Sequence, residues 1–221
     1  DHVLTEMDFI AMENAITIIS LEMVKEFAVK EVMKNFKMEL IEDILSGRNK
    51  ASLAERVQSI RLDAGKPHML LLINFRLSEN GEIPGISDRL MLDHPMDKAS
   101  DIIDKVMHKL SISGASGILK NMAVIFAEAA HAPDSHPHIK AFCIELLKQL
   151  KKGTGGLPFN IGYSSQALPV CEMSGLYKNA QDAVHIGKMI YGDFSICNFD
   201  ELGVYKLLCL AHDRIALKRF I

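Results

Sequence analysis

Apolar residues follow two different patterns along this chain, and short breaks of polar residues and glycine separate them. An apolar residue at every third or fourth position predicts a helix, whereas a short continuous apolar run predicts a buried strand. From residue 67 onward, these patterns predict the order β-α-β-β-α-β-α-β. The predicted strands are 68–77, a hairpin that begins at 117 with its second strand at 122–127, then 158–163 and 195–199. The predicted helices are 99–110, 139–150 and 170–190.

Strands that alternate with long helices, with one hairpin in the middle, are typical of an α+β sheet of the ferredoxin-like kind covered by helices. The hairpin is predicted because two apolar runs flank Lys120-Asn121, a connection of the length that tight hairpins favour. Polar loops are predicted over 78–85 and 129–137. Because many unrelated proteins share this topology, the fold does not settle the function.

A long helical arm is predicted over residues 5–45, since neither Gly nor Pro occurs before Gly47. An apolar seam runs along this arm with the alternating three- and four-residue spacing of a coiled coil. It is formed by Phe9, Met12, Ile16, Ile19 and Met23. Glu26 and Lys30 occupy the next two seam positions, so the strict heptad ends there. One interpretation is an arm that pairs two protomers; the other is a helix that packs on its own domain or on another neighbour.

These elements predict four parts of the chain. Residues 1–47 form the helical arm for dimerisation and signalling, and 48–66 form a short connecting helix after the Ser46-Gly47 stop. Residues 67–202 form the α/β domain, and 203–221 form a terminal helix. The amphipathic pattern is already under way at Asp1, which predicts that the chain is a fragment of a longer protein.

The composition of the chain limits the classes of function and partner that it can have. With 48% hydrophobic and 24% charged residues, the chain has the composition of a globular protein, and a net charge of -3 argues against a nucleic-acid surface. Its apolar runs are too short to cross a bilayer, so no membrane partner is expected. No signal peptide opens the chain, and its four cysteines lack paired spacing, which predicts a cytoplasmic protein with cysteines as small apolar fillers.

Three local features have residue types that occur in functional sites, but none is predicted to be catalytic or metal-binding. His131, His136 and His138 share a loop with Asp134, but their irregular spacing favours a solvated connection. The glycines of 153–156 fit a helix end and turn, because no Lys-Ser/Thr follows them as in a phosphate loop. Ser164-Ser165 lacks the setting of a nucleophile.

Several segments resemble those of PucR/CdaR-type bacterial transcriptional regulators. The segment 38–47 resembles the end of their signal helix, and 53–60 resembles the stretch after it. Three later segments, 160–164, 176–187 and 199–208, are similar to the most recognisable stretches of that family. The resemblance runs from about residue 5 to the end, in the right order and spacing.

This resemblance implies a sensory domain, a linking helix, a GGDEF-like domain of nucleotidyl-cyclase-like fold, and a C-terminal helix-turn-helix. The chain corresponds to the middle of that arrangement. It would act as a homodimer and reach DNA only through an absent C-terminal domain, with a small metabolite as a possible effector and no cofactor. The resemblance names neither the effector nor the residues that would bind it.

In diguanylate cyclases, Gly-Gly-Asp-Glu would stand where this chain has Ile118, Leu119, Lys120 and Asn121. Such an enzyme needs carboxylates at this turn and on the neighbouring strand to hold its metal ions. The first strand supplies Asn74 and no acid. The expectation is therefore a regulatory module that is not an enzyme. The alternatives are a sensor that binds a small molecule or nucleotide and, less favoured, a degenerate cyclase.

Overall fold

The computed structural model describes residues 6–60, 62–76, 95–129 and 135–205. The chain divides into two compact units, Asp1–Glu39 and Leu40–Ile221. The predicted loop at 78–85 and most of the predicted terminal helix at 203–221 lie outside the described residues.

Helix α1, Glu6–Ser46, confirms the predicted helical arm. It ends at Gly47, whose φ of +68° is a conformation that favours glycine. Up to residue 35 its side chains are exposed, whereas Leu40, Ile41, Ile44 and Leu45 are buried. The last turns of α1 therefore belong to the core of the second unit.

The second unit has the predicted element order. Its helices are α2 (Lys50–Arg56, continued by a 3-10 turn at Val57–Ile60), α3 (Pro95–Lys109), α4 (Ser135–Gly153) and α5 (Met173–Tyr191). Its strands are β1 (His68–Phe75), β2 (Gly114–Leu119), β3 (Met122–Glu128), β4 (Phe159–Tyr163) and β5 (Ile196–Asn198). Short 3-10 turns at Val170–Glu172 and Phe199–Leu202 precede α5 and follow β5.

The five strands form one sheet in the order β2-β3-β1-β4-β5. The first four strands pair antiparallel, and β5 joins β4 in parallel. A central β1 between β3 and β4 is the ferredoxin-like arrangement that the sequence predicts. Alternate residues of β1, among them Leu71 and Ile73, pack into the large core beneath α3 and α4. The opposite face of the sheet is covered by α5.

The predicted boundary between the loop after β3 and helix α4 is wrong. Residues 129–137 were expected to form a loop, but α4 begins at Ser135. The apolar stripe used for the prediction starts at Ile139, so it could not reveal the polar first turn. Pro137 does not stop the helix there, because the first-turn N–H groups have no partner within a helix.

The first residue of β1 is a buried histidine, His68, and it makes the stability of the fold depend on pH. His68 Nδ1 donates a hydrogen bond to the Lys66 carbonyl at 2.9 Å, and the backbone of His68 bonds to Leu168. Burial lowers the pKa of His68 below its usual 6.5, although Glu128 and Asp63 oppose the shift. In the unfolded chain the imidazole therefore takes up a proton more readily than in the fold.

We expect the free energy of unfolding contributed by His68 to be fully present above pH 6.5 and to be lost as the pH falls toward the lowered pKa. Urea unfolding on both sides of pH 6.5 measures this loss. The control is His68→Asn, whose amide keeps an N–H donor but does not titrate. An equal acid loss in this variant and the natural chain would contradict the assignment.

Candidate functional site

The candidate site lies at the edge of the sheet where β1 ends. Because β1 runs antiparallel to both neighbours, its carboxyl end meets the amino ends of β3 and β4. Asn74 is therefore paired in register with Met122 on one side and with Asn160 on the other. This pairing brings Asn74 next to the β2–β3 turn, as the sequence predicts.

The turn has two residues, Lys120 and Asn121, which confirms the predicted hairpin. Lys120 adopts a left-handed φ of +55° and its side chain is exposed. The Asn121 amide donates hydrogen bonds to Asn74 Oδ1 at 3.2 Å and to the Phe75 carbonyl at 3.1 Å. The Phe75 N–H in turn donates to the Asn121 carbonyl at 2.8 Å. Two amides thus lock together the end of β1 and the turn.

The two residues before the turn are the other members of the predicted cyclase-turn stretch from Ile118 to Asn121. Ile118 and Leu119 are half-buried strand residues of β2, paired with Ala123 and Met122. Ile118 packs against the core beneath α3 and α4. Where two glycines would leave open space beside the turn, this chain therefore places two branched apolar side chains.

Asp193, an acid at this edge, is already engaged in an ion pair. Asp193, which precedes β5, forms an ion pair with Arg76, the residue after β1. Beside this pair, the buried Asn160 amide donates to the Gly192 carbonyl at 2.7 Å and to Ser195 Oγ at 2.6 Å. Local sequence patterns predict no site role for Arg76, Asp193 or Asn160. An amide inside the apolar run of β4 was the one available signal.

An aromatic row supports the edge from beneath. The Phe159 ring lies 5.6 Å from that of Phe75 and 5.3 Å from that of Phe194, the latter edge-on. Lys151 places its ammonium group 4.7 Å from the centre of the Phe194 ring. These contacts pack the carboxyl end of β1, the amino end of β4 and the residues before β5 into one aromatic layer.

The chemistry available at this edge is that of amides and cations. Across the described ranges, no group of three or more His, Cys, Asp or Glu side chains could hold a metal ion. Amide groups and the Lys120 ammonium can donate hydrogen bonds to an anion or a polar ligand. A divalent cation prefers carboxylate oxygens, and the carboxylate of Asp193 is engaged by Arg76.

The other candidate sites predicted to be structural are the histidine loop and the glycine turn. His131 and Asp134 lie outside the described residues, and His138 is exposed on α4. Gly155 and Gly156 have positive φ values of 67° and 83°, as a turn after a helix requires.

Ser164 and Ser165 bind to the segment that follows β5. Asp200 accepts hydrogen bonds from the Ser164 hydroxyl at 3.2 Å and from the Ser165 N–H at 2.6 Å. Asn198 donates to Ser165 Oγ at 2.8 Å. This network fixes the end of β4 to the end of β5.

Two of the thiols are buried and unreactive. Cys143 and Cys197 are free cysteines within the core. Burial raises the pKa of both, that of Cys197 to about 11. Both therefore stay protonated near neutral pH and cannot act as nucleophiles there.

The predicted seam of the arm is exposed in this single chain. The exposed fractions of its side chains lie between 43% and 67%, and the residues are Phe9, Met12, Ile16, Ile19 and Met23. Although the arm is rich in apolar residues, no helix of the described part of the chain is long and apolar enough to cross a bilayer.

Comparisons with known proteins identify the domain. The GGDEF-like domain family matches residues 46–186, which is more than half of the chain. Among solved structures, the diguanylate cyclase SiaD in complex with its activator SiaC from Pseudomonas aeruginosa is similar at 13% identity and a TM-score of 0.38. That match covers 86% of this chain and 75% of the other. No curated protein matches. By the family match, this chain belongs to the GGDEF-like domains.

Proposed function

We propose that this chain is the non-catalytic regulatory and dimerisation region of a cytoplasmic PucR/CdaR-type transcriptional regulator. It would relay a metabolite signal to a DNA-binding domain outside the chain. The observation that carries the proposal is the sheet edge, where Asn74, Lys120 and Asn121 stand in place of metal-binding acids. The segments 38–47 and 199–208, which resemble this family of regulators, support the assignment.

The electrostatics of the turn oppose cyclase chemistry. A nucleotidyl cyclase places two divalent cations between carboxylates and the triphosphate. Here the positive Lys120 ammonium would repel such cations, and the Asn121 amide is already committed to Asn74 and Phe75. Ile118 and Leu119 also fill the space that glycines would leave open.

We expect no cyclic dinucleotide when the chain is incubated with GTP and Mg²⁺ or Mn²⁺, because the turn lacks metal ligands. Chromatography of the reaction measures the product, with an active diguanylate cyclase as the positive control. Lys120→Asp with Asn121→Glu is a further test, and we expect it to stay inactive because Asn74 and the two apolar residues remain. Product from the natural chain would contradict the proposal.

The arm is proposed to pair two copies. Its seam exposes large apolar side chains to water, and burying them against a second seam would recover about 25 cal/mol for each Å² covered. The three- and four-residue spacing from Phe9 to Met23 suits a parallel coiled coil.

The end of the arm helix offers a physical route from this pairing to the domain. A Cβ atom added to Gly117 of β2 would lie 2.3 Å from Ile41 Cδ1, so the end of α1 packs directly on the strand that leads to the turn. Asp43 in the same turns of α1 forms a 2.6 Å ion pair with Arg56 of α2. A ligand that favoured one of two arrangements of the paired helices would therefore shift β2 as well.

We expect Ile16→Glu with Ile19→Glu to lower the mass of the assembly, because four carboxylates would face one another across a pair of seams. Light scattering on the whole chain at tens of micromolar measures the mass. The matched control is Thr17→Glu with Ser20→Glu, which adds the same charges beside the seam. An unchanged mass in the seam variant would remove the dimer arm from the proposal.

A second candidate function is a sensor whose GGDEF-like domain binds a small anionic metabolite itself. The half-exposed Arg76 and the exposed Lys120 at the sheet edge favour it, since both are cationic. Thermal unfolding with nucleotides, sugar acids and purine catabolites tests it, because a ligand that binds the native fold raises the melting temperature as its concentration rises above the dissociation constant. Loss of the shift in Lys120→Ala would place the ligand at this edge.

A further inference from the structure

The arm carries a second apolar stripe besides the seam from Phe9 to Met23. Successive residues of an α-helix turn by about 100°, so residues spaced by three and four share a side. The second stripe consists of Met7, Ile10, Asn14, Ile18, Leu21, Lys25, Val29 and Val32. It lies on roughly the opposite side of α1 from the first seam. Polar residues such as Glu13 and Glu22 separate the two.

This second stripe is exposed along its whole length. The exposed fractions of its six apolar side chains lie between 53% and 78%. Asn14 and Lys25 are exposed as well. Because the stripe and the seam face opposite ways, one partner helix cannot cover both. A parallel dimer through the first seam would leave the second stripe of each arm in water.

The spacing of residues along the second stripe reads the same in both directions along the helix. Its steps are three, four, four, three, four, four and three residues, with the centre between Ile18 and Leu21. An antiparallel copy in this register sets Ile18 against Leu21, Ile10 against Val29 and Met7 against Val32. Every apolar residue of the stripe then meets an apolar residue.

The two polar members of the stripe decide between antiparallel and parallel copies. In the antiparallel register, Asn14 of one copy meets Lys25 of the other, so an amide oxygen accepts a hydrogen bond from an ammonium group. In a parallel pair, Lys25 would face Lys25, and like charges repel. Lys25 also bonds to Glu22 of its own chain at 3.0 Å. Its ammonium has three N–H donors, enough for both partners.

We infer that the second stripe is a self-pairing surface for an antiparallel copy of the arm. The contact goes beyond the proposed dimer and does not depend on it. When both form, contacts on opposite sides of α1 do not close on themselves, so alternating parallel and antiparallel contacts extend into an open row of arms.

The first test is the mass of the whole chain in solution. We expect the natural chain to form assemblies larger than a dimer whose mass grows with protein concentration, and Ile18→Glu with Leu21→Glu to lower the mass to that of a dimer at most. Thr17→Glu with Ser20→Glu, which adds the same charges between the stripes, should leave the mass unchanged. Circular dichroism checks that each variant keeps its helix content. A mass unaffected by Ile18→Glu with Leu21→Glu would overturn the inference.

The first-seam variant separates this inference from the proposed dimer. If Ile16→Glu with Ile19→Glu lowers the mass and Ile18→Glu with Leu21→Glu does not, the parallel dimer stands and the antiparallel contact fails. The reverse result supports the antiparallel contact and removes the parallel one. When both contacts exist, combining the four substitutions gives a monomer.

The second test addresses orientation through Asn14. Asn14→Glu sets a carboxylate against Lys25 in the antiparallel pair, and we expect self-association to tighten by about two- to tenfold. In a parallel pair, the same substitution sets two carboxylates together and weakens association. Asn14→Lys is the matched opposite, and we expect it to weaken the antiparallel contact. Weaker association of Asn14→Glu would overturn the antiparallel orientation.

Discussion

Gly162→Ala is expected to destabilise the domain by about 3 kcal/mol, because the added methyl group has no room. Gly162 lies in β4, on the face covered by α5. A Cβ atom built there would be 2.5 Å from the Ala180 carbonyl oxygen and 2.6 Å from the Val184 backbone nitrogen. Both are backbone atoms of a helix, so they cannot turn aside. Either α5 moves away from the sheet or β4 distorts.

The free energy of urea unfolding measures this cost. The matched control is Gly175→Ala in the same helix, where an added Cβ meets nothing within 4 Å. Since alanine is the better helix former, we expect that variant to gain up to about 1 kcal/mol. A Gly162→Ala variant as stable as the natural chain would contradict the close approach of α5 to β4.

Phe159→Ala is expected to cost about 3–5 kcal/mol, the usual range for removing a buried phenyl ring. Phe159 is fully buried and contacts the rings of Phe75 and Phe194. Its loss would leave a cavity beneath the candidate site and remove the support of the Phe75 backbone, to which the Asn121 amide is bonded. Phe159→Leu fills most of the space, so we expect a distinctly smaller loss.

Phe142→Ala provides a control of equal size, because Phe142 is fully buried on α4 within the same core. Unfolding in urea gives the stability of all three variants, and amide exchange at Asn121 reports the state of the turn. We expect Phe159→Ala and Phe142→Ala to cost similar free energy. In Phe159→Ala, we expect the Asn121 amide to exchange faster than global unfolding alone explains. Equal exchange in both variants would show that the aromatic row does not support the turn.

The apolar pattern of the sequence predicted the strands, the helices and the hairpin of the domain. It succeeded because each element buries its own continuous or periodic apolar set, as Met69–Phe75 and the stripe of α4 do. The turn at Lys120-Asn121 was likewise readable, because its flanking runs and its length are local features.

The remaining parts of the site depend on contacts between distant segments. Arg76 and Asp193 meet because β4 and β5 pair in parallel beside β1, and no local pattern signals that. The first turn of α4 is polar, so it carries no periodic apolar signal. The partner of the arm is a property of the assembly, which the spacing of one chain can suggest but not determine.

The central position of β1 has a consequence for which substitutions such a domain tolerates. β1 is bonded on both sides, to β3 from His68 to Asn74 and to β4 from Leu71 to Phe75. Its main chain is therefore set by the sheet and not by whichever side chain stands at its tip. Residues at that tip can be exchanged, acid for amide, with little penalty to the architecture. The side chains at this position therefore govern the chemistry of the sheet edge separately from the architecture of the sheet.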